Sequence, residues 1–167
     1  MHRPAAVARI GATPMTVTVT ATEAECVAIA ARLGIAAVLG LECRFALRRQ
    51  EDRPDDKARG MVVGEGALRA TVVQDCVVTL DPFEESLTEN FRVRFVRAGT
   101  EIEDIDPESD DELPYAGESI DLGEAAIEQL ALVLDPYPRK PGAELPRGLG
   151  AGPASPFAAL ARRARDG

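Results

Sequence analysis

Tryptophan is absent from this 167-residue chain, and the other aromatics are few: five Phe and two Tyr. Surfaces that read single-stranded RNA by stacking its bases need exposed rings, so a base-stacking platform is excluded as the main recognition device. Histidine occurs once, at His2, which confines the usual general base of nucleophilic catalysis to the N-terminal segment. Cysteine occurs three times, at Cys26, Cys43 and Cys76. An odd number of widely separated cysteines is not a disulfide framework, and structural zinc needs closely spaced Cys or His pairs. No apolar run approaches the roughly 20 residues of a membrane span. The start, MHRPAAVARIGATP, lacks the apolar stretch of a secretory signal. These absences point to a reducing, cytoplasmic setting, with no membrane partner, no metal and no cofactor.

One sign of charge is also missing locally. Residues 98–138 hold 13 acids and neither Lys nor Arg, whereas residues 1–97 balance 13 basic against 13 acidic side chains. Residues 139–167 return six basic and two acidic ones. The net charge of −9 argues against a polyanionic partner. Segregation weakens that argument, because screening confines each field to about 8–10 Å and leaves local basic surfaces effective.

What is present reads as an α+β domain. MTVTVTA (15–21) alternates as a strand does. Thr22 with Glu25 forms a capping-box pattern, Cys26, Ile29, Ala30 and Leu33 recur at helical spacing, and Gly34 suits the left-handed stop. In AVLGLECRFALRRQ (37–50), Leu41, Cys43, Phe45 and Leu47 share one face, with Glu42, Arg44, Ala46 and Arg48 on the other. EDRPDDKARG (51–60) reads as a polar hairpin tip. In the strand material after it, Gly64 and Gly66 mark a bend or bulge, and Pro82 ends the pairing because it has no N–H. SLTENFRVRFVRAG (86–99) buries Phe91, Val93 and Phe95 and turns Arg92 and Arg94 outward. A second core helix opens at Asp121, which forms a second capping-box pattern with Glu124, and runs to about Leu134, its apolar last turn deeply buried.

The expected organisation is a flexible N-terminus (1–13), one α+β domain (14–140) and a Gly/Pro linker (141–154). A short Arg-rich helix (155–167) closes the chain. Within the domain, 100–119 is an acidic flexible loop. Short connections favour a mainly antiparallel sheet, with barrel closure as one arrangement. The helices would be an N-terminal one, a core one near 121–134 and the C-terminal one.

No nucleophile elbow, P-loop or dinucleotide fingerprint occurs, and the crowded carboxylates sit in a segment without rigid placement. No catalytic residue is assigned. The arginines remain: Arg44, Arg48, Arg69, Arg92 and Arg94 fall on the outer faces of strands whose other faces are apolar, and Arg162 and Arg163 lie in the tail. Neighbouring strands would merge the first five into one basic face, and the planar guanidinium fork suits phosphate. The plainer alternative is a set of solvated charges that blunt the sheet.

Three stretches in order, VVQDCVVTLDPFEESLTENFRVRFV, IDLGEAAIEQLALVLDPYPRKPG and SPFAALARR, resemble the YceD-like family, whose bacterial members are called large ribosomal RNA subunit accumulation proteins. The resemblance spans about residues 14–165. It implies a non-catalytic factor in ribosome biogenesis, contacting large-subunit rRNA precursor or a ribosomal protein. The alternative is a protein-binding adaptor without RNA contact; an rRNA nuclease is a third possibility. The positions that match the family are Cys76, Leu80, Pro82 and Phe83, then Asp121, Leu122 and Glu128, then Pro136 and Pro138, and Pro156 and Phe157 in the tail. Most read as architecture. Many relatives carry a Cys-x-x-Cys-Leu-type stretch here, but this chain has Thr79 in place of a second cysteine, so no paired-cysteine role is carried over.

Overall fold

The computed structural model describes residues 1–50, 61–99 and 111–144. The hairpin tip 51–60, the start of the acidic segment and the tail from 145, with Pro156, Phe157, Arg162 and Arg163, lie outside the described residues.

In chain order the elements are β1 (Pro4–Ala6), a 3₁₀ turn (Val7–Arg9), β2 (Met15–Thr20), α1 (Glu23–Leu33), β3 (Ala37–Arg49), β4 (Val62–Asp75), β5 (Pro82–Arg97), β6 (Asp111–Tyr115), β7 (Ser119–Asp121) and α2 (Leu122–Val133). Five strands form one sheet in the order β2-β3-β4-β5-β6, and β1 pairs with β7 in a separate two-stranded ribbon. Every pairing is antiparallel except β5 with β6. The sheet is open, so barrel closure does not occur. Closure would need β2 and β6 to meet, and they are the two edges of the order.

Local rules explain both helices. Thr22 Oγ1 accepts from the Glu25 N–H at 3.3 Å, and Glu25 Oε2 accepts from the Thr22 N–H at 2.9 Å, which satisfies two orphan donors of α1. Gly34 ends the helix at φ 67°. Asp121 caps α2, its Oδ1 accepting from the N–H groups of Gly123 and Glu124 at 2.9 and 3.2 Å. Glu124 does not complete a capping box; its carboxylate pairs with Arg32 and ties α2 to α1. The core fills the space beneath one sheet face. Phe45, Leu47, Leu68, Val72, Val93 and Phe95 meet Ile29 and Ala30 of α1 and Leu122, Ala126 and Leu130 of α2. Burying each large apolar side chain there contributes about 1.5–3 kcal/mol.

Four expectations are corrected. The N-terminus is anchored. Asp121 accepts the Arg3 N–H at 2.9 Å and pairs with His2, and Arg3 grips both oxygens of Glu25 at 2.8 and 2.9 Å. The Arg3 guanidinium, then the Thr22 N–H, hold the Glu25 carboxyl down at about 2. Ile10, 2% exposed, joins the core. The acidic loop is strand at Asp111–Tyr115 and Ser119–Asp121. Leu113 and Tyr115 fall beside Phe95 and Arg97 in the parallel register, and Glu112 is neutralised by Arg94 at 3.2 Å. Thus period-two apolar residues outweigh the charge. Gly64 and Gly66 make no bulge: β4 pairs continuously with β5, and the register shift lies at Val38/Gly40 of β3. The last turn of α2 is not deeply buried, since Leu132 is 68% exposed while Leu130 is 0%. A helix lying on one sheet face buries one stripe only.

Candidate nucleic-acid interface

Arg44, Arg48, Arg69, Arg92 and Arg94 all lie on the sheet face opposite the helices. Register places them there: residues directly opposite share a face, and the core-facing positions are Cys43, Phe45 and Leu47 with Leu68, Gly66 and Gly64. One cross-strand row runs Thr18–Arg44–Ala67–Asn90. The next runs Thr20–Glu42–Arg69–Thr88, and on the other side lies Thr16–Ala46–Glu65–Arg92. The end row is Arg48–Val63–Arg94–Glu112. Strands about 4.8 Å apart make this a close-set polar surface, and no aromatic residue belongs to these rows.

The five arginines are not equivalent. Arg94 is half-buried and engaged with Glu112. Arg48 is half-buried next to Val63, which is 1% exposed. Arg44, Arg69 and Arg92 are exposed. Glu42 stands opposite Arg69, and Glu65 opposite Arg92, so the face is mixed in sign with basic groups in excess. Among the described residues, Arg44, Arg48 and Arg69 carry no ion pair. Thr16, Thr18, Thr20 and Asn90 add exposed hydrogen-bonding groups to the same face. Sequence reasoning did not single these out, although the strict alternation of MTVTVT carried the signal.

The positions shared with the YceD-like motif scatter over a different region, at the ends of β4 and α2. Pro82 opens β5 opposite Asp75 and does not end the pairing, because a strand's first residue needs no ladder N–H. Phe83 lies opposite Gln74. Leu122 is buried, Glu128 half-buried and Pro136 exposed. Pro138 is buried, and its carbonyl accepts the Val77 N–H at 2.9 Å. Leu80 is not core: it sits at φ 61° with 78% of its surface exposed. Its N–H bonds the Cys76 carbonyl at 2.8 Å, closing the turn that carries it.

The cysteines differ in state. Burial pushes Cys43 up to about 12 and raises Cys26. Cys76 is fully buried too, but the Thr79 hydroxyl and the N–H groups of Lys140, Thr79 and Val78 favour its thiolate and hold it at about 7 against burial. A depressed folded pKa contributes stability above the unfolded value, near 9, that is lost as pH falls through about 7. Stability measured by urea titration is therefore expected to rise from pH 7 to pH 9 and to lose that rise in Cys76→Ser. An unchanged slope in the variant refutes this assignment.

Among the described residues, no group of three or more His, Cys, Asp and Glu side chains is placed to hold a metal ion. No helix among them is long and apolar enough to cross a membrane. A family model described as large ribosomal RNA subunit accumulation protein YceD matches residues 64–160, more than half of the chain, from β4 through α2 and beyond. No curated protein and no solved structure matches. With the strand-turn and the capped helix inside that match, the chain belongs to the YceD family.

Proposed function

We propose that this protein supports the accumulation of large-subunit ribosomal RNA as a non-catalytic factor that holds the RNA backbone against the outer face of its sheet. The family is named for rRNA accumulation and not for a reaction. The observation that carries the reading is the gathering of five arginines from β3, β4 and β5 on one face, amid Thr and Asn side chains. Guanidinium forks bind phosphate oxygens in pairs, hydroxyls and amides add bonds to phosphate and sugar, and the absence of rings in these rows leaves bases unread. Recognition is then of backbone and shape, and it weakens steeply with salt.

Co-sedimentation with large-subunit precursors at low and high salt tests this. The protein is expected in the precursor fractions at low salt and to leave them at high salt. Absence from every ribosomal fraction at both concentrations defeats the proposal.

A second reading, a protein-binding adaptor, is favoured by one feature. Val77, Leu80 and Tyr137 are 44%, 78% and 70% exposed, and the Val77–Pro138 bond brings the Cys76–Asp81 turn against the segment after α2. Crosslinking in cells separates the readings: RNA attached through β3–β5 supports the first, protein attached at Leu80 alone the second.

A further inference from the structure

The C-terminal ends of α1 and α2 converge on a pocket of about 380 Å³. Leu33, Ile35 and Leu134 give it apolar walls, and Gln74, Asp75 and Asp135 give it polar ones. Gln74 is only 5% exposed. Its Nε2 donates to the Asp135 carbonyl at 3.2 Å, while its Oε1 is buried with no hydrogen-bond partner among the described residues. The Asp135 carbonyl dictates that orientation, because turning the amide over would set two acceptors face to face. A buried acceptor without a donor is costly and demands an explanation.

The surrounding charge specifies the missing donor. The last-turn carbonyls of a helix carry partial negative charge, and two helix ends meet here. α2 has no basic residue in its last turn. Arg32, in the last turn of α1, is committed to Glu124. Asp135 adds an exposed carboxylate at the rim, its Oδ1 accepting the Tyr137 N–H at 2.8 Å. The groups left without a donor at this pocket are thus acceptors, and the remaining wall accommodates methylene groups.

We infer that this pocket is a binding site for an alkylammonium group, its aliphatic stem lying along Leu33, Ile35 and Leu134 and its N–H donors meeting Gln74 Oε1 and the Asp135 carboxylate. A lysine side chain of a polypeptide and a free polyamine both present that chemistry. The site is independent of the sheet face, so either proposal stands if the other fails.

The test is calorimetric titration of the full chain with 1,4-diaminobutane and, separately, with N-acetyl-lysine methylamide, followed by the Gln74 side-chain amide resonances. Saturable binding is expected. Gln74→Leu should weaken it about tenfold or more, since it removes a hydrogen bond to a charged group. Asp135→Asn, an exposed change whose Oδ1 still accepts the Tyr137 N–H, should weaken it by up to about fivefold. The Nζ-acetylated lysine amide should not bind. Binding of the diamine alone identifies a free polyamine as the ligand, and binding of the lysine amide identifies a polypeptide side chain. No binding of either probe at millimolar concentration overturns the inference, as does binding that both variants leave unchanged.

Discussion

Adding a single methyl group at Gly66 is expected to destabilise the protein by about 1–3 kcal/mol, the cost of overpacking a filled core. Gly66 lies between Phe45 on β3 and Phe91 on β5. The Phe91 ring crosses directly over it to meet Phe45 edge-on, with centroids 5.7 Å apart and planes at 78°. A Cβ on Gly66 would stand 2.1 Å from Phe91 Cζ, so the ring must leave. Phe91 is half-buried and can swing towards solvent. It then forfeits its burial and an aromatic contact that contributes about 0.5–1.5 kcal/mol. Elsewhere in a strand, Gly→Ala is favourable by roughly 0.5–1 kcal/mol, so a measured loss understates the steric term. The urea midpoint of Gly66→Ala should fall with its m-value unchanged. Combined with Phe91→Leu, which clears the space, it should cost less than the sum of the two single changes. Strict additivity would show that ring and glycine are not coupled.

The second large effect is on RNA. Replacing Arg44, Arg69 and Arg92 together by Ala should lower affinity for large-subunit precursor RNA about 100-fold at physiological salt. It should also reduce the salt slope by about 2–3, because each lost phosphate contact stops releasing counterions. Arg44 and Arg69 are exposed and carry no ion pair among the described residues, so stability should shift by no more than about 0.5 kcal/mol for either of those changes. Removing Glu42 and Glu65, which stand opposite Arg69 and Arg92, should act in the other direction and tighten binding. Filter binding across a salt series reads both quantities. A triple variant with the wild-type slope would place the contact elsewhere on the protein.

Alternation alone was enough to foresee that Arg44, Arg69 and Arg92 turn away from the core, because side chains in a strand change face at every step. It could not show which strands are neighbours, and therefore not that Glu42 faces Arg69 or that Glu112 occupies Arg94. The reading of Gly64 and Gly66 as a bend failed for a related reason. Glycine marks either a distorted backbone or a close approach, and only the position of Phe91 across the pair selects the second. The acidic segment misled because charge density was weighed over 20 residues, whereas the five residues of β6 alternate and find a strand edge to pair with.

By itself, then, the chain's residue order determined the helix starts at Thr22 and Asp121, the stop at Gly34 and the inward and outward faces of β3 and β5. These depend on hydrogen bonds and periodicities that act within a few residues. Tertiary structure alone decided the open strand order, the anchoring of His2 and Arg3 on Asp121 and the burial of a Gln74 oxygen that no described residue pairs. Contacts between residues distant in the chain leave no local trace, because their energy exists only once the intervening chain has folded and brought them together.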